Sequence, residues 1–263
     1  MRKIFHLICT TVLICCVACE PNNIPLNDPI VGLFSVGPNR QVSFAPGNLQ
    51  YQPYNATWQF AAKQTDYIGM DNKLFSATYD GWVDLLTWGN ALPTNNTLYD
   101  PTVFRDWGEQ IIGPDTPNTW RTLTSDEWQY LCFSRNQAAQ RIAIACVDGI
   151  NGLILLPDSW GTPEGIELRC GFSNMAGQSA FAQWQTISLK HWEKLQYAGA
   201  IFLPAAGLRI DSGVYTLQYD GYYWAASAHN TNYSFCLVFD AQGVKLDSDS
   251  RHYGMSVRLV KDY

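Results

Sequence analysis

Charge is scarce in this chain. Only 15% of its 263 residues are Asp, Glu, Lys or Arg, and the balance is mildly acidic, net −6. No Lys/Arg cluster occurs, so the electrostatic footprint of a nucleic-acid binder is missing. Histidine is limited to His6, His191, His229 and His252, and no Gly-x-Ser-x-Gly nucleophile elbow is present. Past residue 19 the cysteines are Cys132, Cys146, Cys170 and Cys236. None stand in C-x-x-C spacing, so a structural zinc site is not expected. There is no internal repeat and no Gly/Ser linker after residue 30. What the chain does hold is apolar and aromatic: 47% hydrophobic residues, with 10 Trp and 14 Tyr. That composition supports a real core and argues against disorder.

The one long apolar run, Ile4–Ala18, follows Arg2 and Lys3 and is broken only by His6, Thr10 and Thr11. It is too short for a permanent membrane span and has the form of a signal peptide over residues 1–18. It ends in Cys16-Val17-Ala18-Cys19, which resembles the bacterial lipobox, although Cys16 stands where that motif usually has Leu. The resemblance implies lipidation of Cys19; the alternative is ordinary cleavage that leaves its thiol free. An Asn/Pro-rich stretch then reads as a tether over residues 19–30. Residues 31–263 are read as one domain. An oxidising compartment permits disulfides among the four later cysteines, and buried free thiols are an equal alternative.

Hydrophobic periodicity predicts strands across Val31–Gln52, with a turn at Gly37-Pro38-Asn39-Arg40. Asn72–Pro117 has no lasting period and reads as long ordered loops pinned by Trp82, Trp88 and Trp107. A helix is predicted to start at Thr124, because Thr124-Ser125-Asp126-Glu127 has capping-box spacing and Trp128, Leu131 and Cys132 share a face. A second is predicted from Ser188 to about Ala198, with Leu189, Trp192 and Leu195 three apart and Gly199 as its stop. Ile142–Val147 and Gly152–Pro157 read as buried strands, and Ala200–Pro204 as another short strand. Tyr233–Phe239 is nearly continuous in apolar residues and reads as a strand covered on both faces. A turn at Asp240–Gly243 leads into Val244–Leu246, and Ser256–Val260 is the last predicted strand.

Four segments resemble one family. Thr119-Trp120-Arg121-Thr122-Leu123-Thr124-Ser125-Asp126-Glu127-Trp128-Gln129-Tyr130 is similar to a helix start in the formylglycine-generating-enzyme branch of the C-type lectin fold. Phe202–Arg209, Tyr223–Ser227 and Gly254–Val260 resemble segments of Bacteroidetes lipoproteins of the Fibrobacter major-paralogous-domain type. They follow the family's order over about the last 145 residues. Phe44–Tyr51 resembles the same lipoproteins less specifically. The resemblance implies an α+β, C-type lectin-like fold of two helices with small antiparallel sheets and long ordered loops.

The same fold carries the variable proteins of diversity-generating retroelements, whose binding residues are changed at adenines. Asn, Tyr, Ser, Asp and His are frequent products of that process. Tyr222, Tyr223, Ser227, His229, Asn230, Asn232 and Tyr233 are of those types, as are Ser248, Asp249, Ser250, His252 and Tyr253. Scaffold-like Trp224, Leu237, Phe239, Gly254 and Val257 lie between them. Exposed loops also favour Asn, Ser and Asp, so both accounts stand.

Catalysis finds little support in these residues. The oxidase of this branch uses two reactive cysteines near its C-terminus, and here only Cys236 lies there, between Phe235 and Leu237. Asp126 and Glu127 are accounted for by the helix start. His191 reads as a helix-surface or packed residue, while His229 and His252 would need their loops to meet. Asp247 and Asp249 offer hard oxygens to calcium, but no EF-hand pattern accompanies them, so no cofactor or metal is expected.

The expected function is non-catalytic binding of an extracellular protein or glycan, with no nucleic acid. The protein would be lipid-anchored in the outer membrane and face the cell surface. The expected ligand-binding residues are Tyr222, Tyr223, Ser227, His229, Asn230, Asn232, Tyr233, Asp249, His252 and Tyr253, since recognition loops favour Tyr, Ser and Asn. Alternatives are an adhesin- or pilus-type assembly component and a divergent enzyme of the same fold.

Overall fold

The chain's first strands form where polar and apolar residues alternate around tight turns. In a computed structural model describing residues 32–89, 103–171 and 183–263, these are β1 (Phe34–Gly37), β2 (Arg40–Phe44), β3 (Leu49–Gln52) and β4 (Thr57–Phe60). The expected signal peptide, Cys19 and the tether lie outside the described residues. The loop-rich region contributes β5 (Leu86–Thr87) and two short 3₁₀ turns, Gly69–Leu74 and Trp107–Glu109. Its residues 90–102 also lie outside the described set. Trp88 and Trp107 are buried as expected, whereas Trp82 is only half-buried.

The first helix, α1 (Ser125–Gln129), begins where the capping box predicts. Thr124 Oγ1 accepts from the Glu127 amide at 3.2 Å, and Glu127 Oε2 accepts from the Thr124 amide at 2.9 Å. It runs on into a π-helical turn, Tyr130–Ser134, that keeps Leu131 and Cys132 buried. Two buried strands follow, β6 (Ile142–Val147) and β7 (Ile150–Leu155), then β8 (Gln185–Ile187). The second helix is α2 (Leu189–Tyr197), capped by Ser188. Trp192 and Leu195 face inward, but Leu189, in the first turn, stays exposed.

The remaining strands are β9 (Ile201–Pro204), β10 (Leu208–Ile210), β11 (Gly213–Tyr215), β12 (Gly221–Ala228), β13 (Tyr233–Phe239), β14 (Val244–Ser250), β15 (Gly254–Met255) and β16 (Val260–Asp262). The predicted strand Ser256–Val260 is therefore broken. Residues 256–259 are buried, but Leu49 and Ala45 amides donate to the Val257 and Leu259 carbonyls at 2.9 Å each, in place of a regular ladder.

The architecture is α+β, in small sheets. Their strand orders are β1-β2-β16, β3-β4, β8-β6-β7-β9, β11-β10-β15-β5 and β12-β13-β14. Among the described residues these ladders are antiparallel except that of β6 with β8. The sheet β12-β13-β14 is the one that carries the predicted site, and its two faces have different neighbours. Tyr223, Ala225, Leu237, Phe239 and Val244 enter a core built from Phe34, Phe44, Trp128, Leu131 and Leu203. Trp224 and Cys236 enter a second core with Leu49, Trp88, Met255 and Val257. Period-2 alternation sends neighbouring residues to opposite cores, which is why the strand reads as a continuous apolar run.

Buried polar groups knit these cores together. Trp224 Nε1 donates to the Leu86 carbonyl at 2.7 Å, and Trp88 Nε1 to that of Ala225 at 2.8 Å. Arg258 is buried, and among the described residues no carboxylate pairs with it. It donates to Asn48 Oδ1, the Ala45 carbonyl and the Phe202 carbonyl at 3.2, 3.0 and 2.6 Å, and burial pulls its pKa down to about 10. Cys132, Cys146, Cys170 and Cys236 are all free thiols. No helix among the described residues is long and apolar enough to cross a membrane.

Candidate functional site

The loop of residues 229–232 joins β12 to β13, and its shape is set by short-range hydrogen bonds. The His229 and Asn230 amides donate to the Tyr233 carbonyl at 3.0 and 3.1 Å. Asn230 Oδ1 accepts from the Asn232 and Tyr233 amides at 2.9 and 3.0 Å, an Asx-type turn. Asn230 is thereby committed to holding the loop.

A buried arginine supports the loop from beneath. Arg251 lies over the Trp88 ring, 4.2 Å from its centroid. Its guanidinium donates to the Tyr233 carbonyl at 3.3 Å and to the Asn230 carbonyl, and its own amide donates to the Asn232 carbonyl at 3.0 Å. The turn that carries His252 is therefore tied to the turn that carries Asn232. Around this junction His229, Asn230, Asn232, Tyr233 and His252 are exposed. The His229 ring meets the Phe235 ring edge to face, with centroids 4.9 Å apart, so its position is fixed although it is solvent-facing.

The other expected site residues do not join this group. Tyr223 is fully buried, with its hydroxyl 3.0 Å from the Pro204 carbonyl it donates to and 3.1 Å from Asn48 Nδ2, and burial pushes its pKa up. It is a core residue because its parity on β12 matches that of Ala225 on the inner face. Ser227 is half-buried, and its Oγ accepts from the Ser125 amide at 3.0 Å, which docks α1 against β12.

Tyr222 and Asp249 have the opposite parity from Tyr233 and so lie on the other face of the sheet. Tyr222 also stands six residues before Ala228, about 20 Å along the strand from the loop. It is half-buried; burial and then Asp220, whose carboxylate accepts from its hydroxyl at 3.4 Å, push its pKa up to about 12. Tyr253 packs against the second core. The ten residues thus form no single face. Five gather at one end of the sheet, and the rest serve the core, a helix cap or the opposite surface.

Sequence reasoning passed over Arg251, because nothing in Ser-Arg-His-Tyr signals that the arginine is buried. It also left out Tyr215 and Tyr219, which are exposed on and after β11, Tyr219 at 74%. Thr216 and Gln218 beside them adopt positive φ, a turn that the Leu-Gln-Tyr-Asp-Gly run suggests.

Chemically, the loop end offers imidazoles, amides and a phenol, which is a recognition set. Burial, followed by Asp249 and Asp247, pushes the Cys236 thiol well above its ordinary range. Burial also raises Cys132 to about 12 and Cys170 to about 11. No group of three His, Cys, Asp or Glu among the described residues could hold a metal ion. Glu127, buried and bound by Arg121 at 2.8 and 2.9 Å and by Arg40 at 3.0 Å, is part of the scaffold.

No model of a known protein family, no curated protein and no solved structure matches this chain.

Proposed function

We propose that this protein is a cell-envelope lipoprotein of C-type lectin-like fold that binds an extracellular protein or glycan without catalysis. In this reading the signal peptide directs export, acylated Cys19 anchors the chain in the outer membrane, and the loop end of β12 and β13 faces outward. His229, Asn232, Tyr233 and His252 make contact, and Asn230 holds their backbone.

One observation carries the reading. The exposed side chains project from a backbone that Arg251 locks onto Trp88, so a variable surface rests on a fixed base. Preorganisation of this kind lowers the ordering cost of binding. Exposed Asn, Tyr and His over buried Trp224, Leu237, Phe239, Gly254 and Val257 also fit diversification by a retroelement.

The test is capture on a glycan array and on intact cells of candidate hosts, comparing the native chain with a His229→Ala, Asn232→Ala, Tyr233→Ala, His252→Ala variant. Loss of capture in the folded variant supports the proposal; unchanged capture sinks it. A near-copy of the coding DNA for residues 220–258, differing at adenines and lying beside a reverse-transcriptase gene, would establish the diversified form.

A further inference from the structure

Arg209, on β10, is a buried cation with one side of its hydrogen-bonding fork unmatched. The residue is only 6% exposed. Its Nη1 donates to the Asp211 carbonyl at 2.9 Å, but among the described residues Nε and Nη2 meet no acceptor, although both are shielded from solvent. Those two nitrogens present parallel N–H groups, the side of a guanidinium that fits both oxygens of a carboxylate. Exposed Asp211 offers its carbonyl rather than its carboxylate. Burial pulls the Arg209 pKa below the usual arginine range, against the opposing pull of the Asp211 charge.

Two other buried arginines are matched from within the chain. Arg258 gives each of its three nitrogens an oxygen, and Arg135 reaches the Asp158 carboxylate at 3.1 Å. Burying an unmatched charge is costly, so the Arg209 fork points to an anion from outside the chain. Its surroundings define the room and the way in. Arg209 stands opposite Gly254, where a Cβ would come within 3.0 Å of Nε and 2.5 Å of the Leu85 carbonyl. The glycine thus lets the guanidinium lie close against β15. The Phe75 ring covers it, with its centroid 5.1 Å from Cζ. Phe75 directly follows the 3₁₀ turn Gly69–Leu74, which is fastened through Asn72. Asn72 Oδ1 accepts from the Asp84 and Leu85 amides at 2.9 Å each. Phe75 itself is half-buried, and its amide reaches the Asn72 carbonyl only at 3.3 Å. The ring can therefore swing outward while the turn stays in place.

We propose that Arg209 is the binding site for a single carboxylate, admitted when the Phe75 ring swings aside. The two carboxylate oxygens accept from Nε and Nη2, and Nη1 keeps its bond to the Asp211 carbonyl. One negative charge balances one buried positive charge. A sulfate dianion would leave excess charge in the same desolvated place. The carboxylate is that of a free organic acid or of an acidic sugar. The site does not depend on what the loop end of β12 and β13 binds.

The full chain is titrated with sodium acetate, sodium glucuronate and, as a control, sodium sulfate, all at constant ionic strength. The expected result is a saturating shift of the Arg209 Nε–H and Phe75 ring signals in nuclear magnetic resonance spectra with a carboxylate and none with sulfate. A response to acetate alone supports the site with free acids as its source, and one to glucuronate alone supports it with acidic sugars. A response to both supports a carboxylate site indifferent to source. Arg209→Lys keeps the charge but loses the fork, and should weaken binding by about tenfold or more. Phe75→Ala removes the cover and should tighten binding by roughly threefold. Arg209→Met leaves no charge to match, so it should fold at least as stably as the native chain and gain no stability from either carboxylate. No shift at Arg209 with acetate or glucuronate overturns the proposal, as does an equal response to sulfate. Stabilisation by carboxylates that persists in Arg209→Met also overturns it.

Discussion

Tyr223 and Tyr233 are ten residues apart; Tyr223 is fully buried and Tyr233 is exposed, and only Tyr233 belongs to the proposed contact surface. Changing Tyr223 to Phe removes only a hydroxyl, but that hydroxyl donates to the Pro204 carbonyl and receives a hydrogen from Asn48 in a site without solvent. Leaving those partners unsatisfied costs about 1–3 kcal/mol. The expected readout is a lower urea midpoint with an unchanged slope, since the surface exposed on unfolding is the same. Ligand capture by the folded fraction is unaffected. Changing Tyr233 to Ala removes a larger group at a half-exposed position, 44% accessible, whose loop hydrogen bonds run through its backbone. Those bonds survive, so stability shifts by no more than roughly 0.5 kcal/mol. Capture should fall by about tenfold or more, as for an aromatic anchor at an interface. Equilibrium unfolding and binding to the ligand found by array or cell capture are measured on the same preparations. The reasoning fails if Tyr223→Phe abolishes capture at native stability, or if Tyr233→Ala unfolds the chain while capture by the folded remainder is intact.

Arg251→Ala should loosen the loop, seen as faster amide exchange at Asn232 and Tyr233, and should weaken capture without touching any exposed side chain. Thr124→Ala removes half of the capping box and should cost about 1 kcal/mol in thermal or chemical unfolding. Asp84 is buried, and burial raises its carboxyl from 3.8 to about 6 against the pull of Asn72 and the Ile68 amide. The folded chain therefore holds that proton more tightly than the unfolded chain. Its contribution is complete below about pH 4 and is lost as pH rises through 6, by up to roughly 3 kcal/mol. Stability from this group should thus increase on acidification from pH 7 to 5, and Asp84→Asn should flatten that slope. Asp262, held low by Arg121, acts only below this window. Growth with labelled palmitate should mark the native protein and leave a Cys19→Ser variant unmarked.

Local signals made much of the fold legible. The capping box at Thr124, the stop at Gly199, and the apolar runs of β6, β7, β9 and β13 all state their structure within a few residues. What eluded reading was decided by distant partners. Ser256–Leu259 has the pattern of a strand, yet it bonds to residues 45 and 49 across two hundred positions. For the candidate site, composition marked the region, but parity was not legible. Tyrosine content pointed to residues 222–253, but whether a given tyrosine faced solvent depended on which side of β12 or β13 it occupied and on what covered that side. Tyr222 and Tyr223 look alike in sequence and differ by one step of a two-residue period. Arg251 illustrates the other gap, since an arginine over a tryptophan ring has no sequence mark when its partner lies 163 positions earlier.

The pairing of β2 with β16, Phe44 opposite Val260, brings nearly the two extremes of the domain into one ladder. The core cannot close until residues 257–262 have left the ribosome. A chain cut short there loses the Arg258 ties to residues 45, 48 and 202 together with a sheet edge, and so stays open to proteases.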